Sequence, residues 1–261
     1  MVLSVNYIWM RPDGEASFEI PSPSFFFLQK NAACYPDTQF NLWVEDPKAY
    51  ERYAIPANVA PQQLNSLPAF SEVPVFSLGE ARYMWAKVDI ARLFVLKHVL
   101  DGTNASDGAI YTDFDVKDVA IHSDALEERL RKYGAAFGGT YVEVHNSRQI
   151  ISPFENGYIA FNGKGLPLLE HILDGVLENV RPERSSVYDD IKEGLYSWAE
   201  MHRNDGDDPF PMEWGTKVGC LPVLPRGGFK VNRRYAAKPA AHCTRPAPLT
   251  SAISQLFKVE S

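Results

Sequence analysis

Short apolar runs of strand length alternate with longer runs of helical spacing along most of the chain. Four prolines between residues 54 and 74 predict short helical turns joined by loops in that region. The pattern predicts strands at 2–9, 40–44, 109–112, 116–119, 135–143 (continuous or divided at Gly138-Gly139), 148–152, 156–161 and 221–224. It predicts helices at 21–31, 79–100, 123–132, 166–180 and 186–201, with Ser123 as the N-cap of the third. Because strands and helices alternate through about residue 161, we expect an α/β sandwich.

The segment 85–116 predicts a buried helix, a polar turn and a short strand that ends at Asp113-Phe114-Asp115. Side chains alternate along a strand, so Asp113 and Asp115 point to one side and Phe114 to the other. Two carboxylates at a strand end offer the oxygen ligands that a hard divalent cation prefers. Taken alone, a D-x-D pattern is more often a solvated strand end, so its interpretation depends on the neighbouring segments.

The helix before this strand carries Asp89 and Arg92, three residues apart and therefore on one helical face. An exposed pair with this spacing is a minor stabilising contact. This helix is apolar on most of its sides, however, so at least one of the two charges is expected to be buried. A buried charge requires a partner.

The helix with Asp89 and Arg92 is followed by the segment G-A-I-Y-T-D-F-D-V at 108–116. This combined pattern resembles the D-x-D region of glycosyltransferases with a GT-A fold. It is most similar to the retaining group that includes α-mannosyltransferases, globotriaosyl-type galactosyltransferases and clostridial glucosylating toxins. One departure is that the family usually has two glycines before Ile-Tyr, whereas this chain has Gly108 followed by Ala109, after a longer turn at 101–107. The residues that carry the resemblance are Asp89, Arg92, Leu96, Gly108, Ile110, Tyr111, Asp113, Asp115 and Val116.

The resemblance implies a GT-A-type, Rossmann-like mixed sheet and a bound Mn²⁺ or Mg²⁺. In this family Asp115 would bind the metal directly, and Asp113 would bind the ribose, the sugar or the metal through water. His242 falls where related enzymes place a late metal or pyrophosphate ligand, although a single histidine is more often structural. The metal set implied by the family is therefore Asp113, Asp115 and His242.

The resemblance also implies residues that bind the nucleotide-sugar donor. Asp89 and Arg92 would bind hydroxyls of the donor sugar and order the site. Asn156, at the start of a strand, would lie near the reaction centre. Trp9, at the end of the first strand, would stack on uracil or guanine, and a core role for its indole is equally compatible with the sequence.

A group of basic residues lies near the end of an otherwise acidic chain: Arg226, Lys230, Arg233, Arg234 and Lys238. They are candidates to neutralise the diphosphate as it leaves the donor. A solvated loop is an equally good interpretation of the same residues.

Composition narrows the class of protein. The 261 residues suit one domain (1–261), with a nucleotide-sugar-binding core at 1–165 and an acceptor-side lobe at 166–261. The net charge of −7 argues against a general nucleic-acid binder. The three cysteines have no metal-binding spacing. No signal peptide or membrane-spanning run is recognised, so we expect a cytoplasmic protein, with peripheral membrane association and oligomeric state left open.

The sequence therefore predicts a hexosyltransferase that uses a UDP- or GDP-linked donor and a glycan or lipid-linked acceptor, with retention implied by the resemblance alone. Polysaccharide biosynthesis is the expected setting. Two alternatives remain open: a sugar-nucleotidyltransferase that uses the same aspartates, and a degenerate GT-A domain that serves as a carbohydrate-binding or scaffold subunit.

Overall fold

A computed structural model of the chain describes residues 2–10, 20, 22–50, 54–68, 70–73, 76, 83–119, 121–138, 141–145, 148–152, 155–180, 187–201 and 229–231. The strands are β1 (Leu3–Trp9), β2 (Phe40–Val44), β3 (Val59–Gln63), β4 (Gly108–Thr112), β5 (Val116–Val119), β6 (Ala135–Gly138), β7 (Tyr141–His145), β8 (Arg148–Ser152), β9 (Glu155–Asn162) and β10 (Phe229–Val231). The helices are α1 (Ser22–Cys34), α2 (Met84–Asp101), α3 (Asp124–Tyr133), α4 (Leu166–Asn179) and α5 (Tyr188–Met201). None of the helices in these ranges is long and apolar enough to cross a membrane.

Six strands form one mixed sheet in the order β3-β2-β1-β4-β9-β6. The first four are mutually parallel, and β9 runs antiparallel to both β4 and β6. Hydrophobic side chains fill both faces of the sheet. One cluster joins it to α2, α4 and α5, and the other joins it to α1 and α3. The expected α/β class with a mixed sheet is confirmed.

Two further pairs of strands lie outside the main sheet. β7 and β8 form an antiparallel pair between β6 and β9 in the sequence. β5 pairs antiparallel with β10, and Val231 lies opposite Val116. A strand from late in the chain therefore flanks the segment that directly follows Asp115.

Most of the predicted helices and strands are confirmed, with boundaries that differ from the predicted ones by at most three residues. Ser123 caps α3 as expected, because its hydroxyl accepts a hydrogen bond of 3.2 Å from the amide of Leu126. The expected helix at 79–100 begins at Met84, and residues 79–82 lie outside the described ranges.

Strand β3 was not predicted, because Pro61 lies in its middle and indicates a turn. Proline is tolerated there because β3 is at the edge of the sheet. The expected strand at 221–224 falls outside the described residues, and β10 was not expected. The division into a core at 1–165 and a lobe at 166–261 stays a prediction.

Asn31 is a buried residue of α1 that fixes the chain behind the D-x-D segment. Its side-chain amide donates to the Tyr7 hydroxyl at 3.0 Å and to the Val116 carbonyl at 3.2 Å. Its oxygen accepts from the Val119 amide at 3.3 Å. One side chain thus holds both ends of β5 against α1.

We expect Asn31→Ala to destabilise the protein by about 1–3 kcal/mol for each buried group it leaves without a partner. Urea unfolding of this variant and of Ala33→Ser, at an exposed position of the same helix, measures the difference. Equal midpoints for the two variants would contradict this role of Asn31.

Candidate active site

The strand order reverses between two neighbouring strands of the sheet. From β1 the chain passes through α1 to β2 on one side, whereas β4 lies on the other side of β1 and follows α2. The two helices pack on opposite faces. Ligands of open α/β sheets bind in the crevice outside the carboxyl ends of the strands at such a switch point. Trp9 ends β1, and Asp113 and Asp115 directly follow β4, so all three lie at this edge.

Asp89 and Arg92 form a buried ion pair on α2. The guanidinium Nη2 is 2.9 Å from Asp89 Oδ1, and the two residues are 6% and 3% exposed. The sequence expectation that at least one charge would be buried is confirmed, and in fact both are. Desolvated charges need further hydrogen bonds, and the neighbouring strands supply them.

Asn156, in β9, bonds to both members of the pair. Its side-chain amide donates to Asp89 Oδ1 at 3.0 Å. Its backbone carbonyl accepts a short hydrogen bond from Arg92 Nη1. These two contacts attach β9 to the charged face of α2 at the edge where Asp113 lies.

Tyr111 links the ion pair to the D-x-D segment. Its ring lies under the Arg92 guanidinium, whose central carbon is 4.5 Å from the ring centroid. Its hydroxyl donates a short hydrogen bond to Asp113 Oδ1. Burial raises the pKa of this hydroxyl well above its ordinary value, so Tyr111 stays neutral and remains a donor at physiological pH.

Tyr111 is a site residue for which no role was predicted from the sequence. Its position could have been predicted from the alternation of side chains along a strand. Residues two apart point to the same side, and this places Tyr111 beside Asp113.

Tyr111 and Arg92 contact one carboxylate oxygen of Asp113, Oδ1, and the side chain is partly exposed to solvent. Arg92 Nη2 lies 3.8 Å from Asp113 Oδ1, and the carboxylate-bearing side chain is 36% exposed. Asp115 is half-buried. Two carboxylates plus water and diphosphate oxygens would suit the coordination of Mg²⁺ or Mn²⁺. No cluster of three or more His, Cys, Asp or Glu side chains with metal-binding geometry occurs among the described residues.

Trp9 lies on the neighbouring strand and contacts the centre of the D-x-D segment. Phe114 meets its indole edge to face, with ring centroids 5.3 Å apart and an interplanar angle of 80°. Phe114 also packs on Tyr7 at 5.0 Å and is itself buried. Trp9 is half-buried, so its ring is neither a fully enclosed core residue nor a fully exposed one.

The structure therefore brings four of the predicted site residues into one network: Asp89, Arg92, Asn156 and Asp113. Asp115 follows this network in the chain, and Trp9 flanks it on β1. His242 lies outside the described residues, as do Arg226, Arg233, Arg234 and Lys238 of the basic group. Lys230 is described only as a backbone position of β10.

No protein-family model matches the chain, and no curated protein matches it. Several solved structures are similar. A transferase with two cysteine-to-serine substitutions shows a TM-score of 0.48 and 15% identity, covering 88% of this chain and 92% of that chain. The PaToxG glycosyltransferase shows a TM-score of 0.47 and 16% identity, covering 78% and 72%. The galactosyltransferase LgtC, solved with donor and acceptor sugar analogues, shows a TM-score of 0.42 and 10% identity, covering 97% and 94%. We assign the chain to no family from similarities of this size.

The ion pair gives a prediction about stability. Asp89→Asn leaves the buried guanidinium without its carboxylate and should lower the free energy of unfolding by about 3–5 kcal/mol. Helix α2 provides a matched control, since Lys97 and Asp101 form a second pair, 3.0 Å apart, that is much more exposed. Asp101→Asn should cost at most about 1 kcal/mol. Urea unfolding measures both variants, and similar small losses would show that burial of the first pair has no energetic consequence.

Proposed function

We propose that this protein is a metal-dependent glycosyltransferase that moves a hexose from a UDP- or GDP-linked donor to a hydroxyl of a glycan or lipid-linked acceptor, with retention of configuration. The observation that carries the proposal is the composition of the switch-point crevice. Trp9 ends β1, and Asp113 and Asp115 follow the neighbouring strand β4. The buried Asp89–Arg92 pair lies beside them. These groups match the base, the diphosphate with its cation, and the hydroxyl-rich sugar of such a donor.

Asp113 and Asp115 are the residues that would hold Mn²⁺ or Mg²⁺. The bound ion would act as a Lewis acid on the diphosphate and stabilise its negative charge as the bond to the sugar breaks. His242 is proposed as a further ligand from the resemblance alone. The basic residues near the C-terminus are proposed to help neutralise the same leaving group.

The network would orient the carboxylate of Asp113. Tyr111 and Arg92 both act on Oδ1, and no described residue hydrogen-bonds to Oδ2. The second oxygen is therefore the one available to ribose, to a metal-bound water or to the metal. Fixing one oxygen removes the rotational freedom of the side chain, so less entropy is lost on binding.

Asn156, Asp89 and Arg92 are proposed to recognise the donor sugar. Asp89 and Arg92 are almost fully buried, and they would act mainly by ordering Asn156 and Asp113. Asn156 is half-buried, and it can present polar atoms to a sugar hydroxyl. In the reaction, the bond from the anomeric carbon to the diphosphate breaks, a bond to the acceptor oxygen forms, and the acceptor proton is released.

The experiment that tests this function is a thermal-shift panel of UDP, GDP, CMP and their sugars, each with Mn²⁺ or with EDTA. A ligand at a hundredfold excess over its Kd should stabilise the protein by about 2.7 kcal/mol. We expect one nucleotide class to stabilise the protein only with metal, and Asp115→Asn to abolish the effect. Asp37→Asn, an exposed substitution in the turn between α1 and β2, should behave as the wild type does.

A flat panel in which the two variants and the wild type melt alike would reject the transferase and favour a scaffold. A second panel of nucleoside triphosphates tests the alternative: stabilisation by one of them, with release of pyrophosphate when a sugar phosphate is added, would instead identify a nucleotidyltransferase.

The role of Tyr111 gives a separate prediction. Tyr111→Phe removes the hydrogen bond to Asp113 and should weaken metal-dependent donor binding by about 1.5–3 kcal/mol, the contribution expected of a hydrogen bond to a charged group. Tyr7→Phe removes another buried hydroxyl, one that accepts from Asn31 instead, and should leave donor affinity unchanged. Titration calorimetry with the nucleotide found in the panel measures both. Equal affinities for the two variants would show that Tyr111 does not position Asp113.

A further inference from the structure

We propose that Trp85 forms a stacking platform for a pyranose ring of the acceptor saccharide, at the mouth of the candidate active site. This inference rests on the proposed function, because it names the class of molecule that receives the sugar. It assigns a binding role to an exposed side chain that has no part in the network described above.

Trp85 lies on the charged face of α2. A helix turns about 100° per residue, so Asp89 lies about 40° from Trp85 around the helix axis and Arg92 about 20° to the other side. Asp89 is four residues away, which corresponds to a rise of about 6 Å along the axis. The three side chains therefore form one stripe that runs along α2.

The exposed end of this stripe lies at the edge of the sheet that carries the candidate active site. Arg92 contacts Asp113 and Asn156, near the carboxyl end of β4, whereas the other end of α2 leads through a turn to the start of β4. The N-terminal turn of α2, which carries Trp85, is thus at the site edge. Burial changes along the stripe accordingly: Asp89 is almost fully buried, and one turn further out Trp85 is 71% exposed.

Such exposure is uncommon for tryptophan, which is highly buried on average. The other exposed large hydrophobic residues of the described chain are Val2, Phe26 and Met201, and none of them lies on α2. An indole offers a broad apolar face and one N–H donor. A pyranose ring is complementary to it, since its axial C–H groups form an apolar face and its hydroxyls surround the edge.

The order of groups along the stripe favours the acceptor over the donor. The donor is anchored by its diphosphate at Asp113 and Asp115, and its sugar would reach the network of Asn156 and Asp89 first. Trp85 lies one turn beyond Asp89 on the side towards solvent. A second ring that enters from solvent would meet the indole before it meets the donor sugar.

The test measures saccharide binding and donor binding separately on the same variants. The saccharide probes are methyl glycosides and disaccharides of the common hexoses, observed by saturation-transfer NMR on the full chain with diamagnetic Mg²⁺ and the nucleotide found in the panel. We expect Trp85→Ala to weaken the binding of the saccharide that the wild type binds by about tenfold, which corresponds to 1.4 kcal/mol. Trp85→Tyr, which keeps an aromatic face, should retain most of the affinity. Phe26→Ala, which removes an exposed aromatic ring from α1, should have no effect.

Three results would overturn the proposal. The first is that the wild type binds no saccharide, and the second is that Trp85→Ala binds the saccharide as tightly as the wild type does. The third is that Trp85→Ala loses donor-induced stabilisation to the same extent as it loses saccharide binding. The last result would assign the indole to the donor. If the donor panel is flat, the saccharides are measured without nucleotide; binding that then depends on Trp85 would reject the transferase and still support Trp85 as a saccharide-stacking platform, so the two proposals fail separately.

Discussion

The arrangement of the site depends on one constraint: α2 carries a buried carboxylate, Asp89, and a buried guanidinium, Arg92, on one face. Removing Asp89 and Arg92 from water is costly unless their remaining hydrogen-bonding groups are satisfied. Asn156 from β9, together with Tyr111 and Asp113 at the end of β4, supplies those partners. Helix α2 can therefore sit on the sheet in one register only without leaving a charge unsatisfied. The same contacts fix the positions of the groups that face the crevice.

A network of this kind contributes more to geometry than to net stability. Apolar residues could fill the same volume at equal or lower cost, but they would leave the carboxylate of Asp113 free to rotate. A site that must bind a diphosphate and a cation benefits from polar groups that are already oriented, because no reorganisation is then needed when charge develops. The neutral Tyr111 hydroxyl contributes to this orientation without adding a charge of its own.

The sequence predicted those parts of the fold in which local pattern and tertiary role agree. The cap at Ser123, the buried strand before Asp113 and the burial of at least one charge of the Asp89–Arg92 pair all follow from spacing and polarity, and all are confirmed. Strand β3 was missed because the effect of its proline depends on its edge position, which is a property of the whole sheet. The two hydrogen bonds of Asn156 were equally inaccessible, since they join residues far apart in the chain and one of them uses a backbone carbonyl.

The pairing of β5 with β10 affects the order in which the strand contacts form during synthesis. Val116 directly follows Asp115, and its partner Val231 belongs to the last strand of the described chain. Contacts of such long sequence separation carry a large loop-closure entropy and form late. During synthesis, β5 lacks its partner β10 until residue 231 has left the ribosome. An incomplete chain would therefore lack the strand pairing that flanks the segment after Asp115.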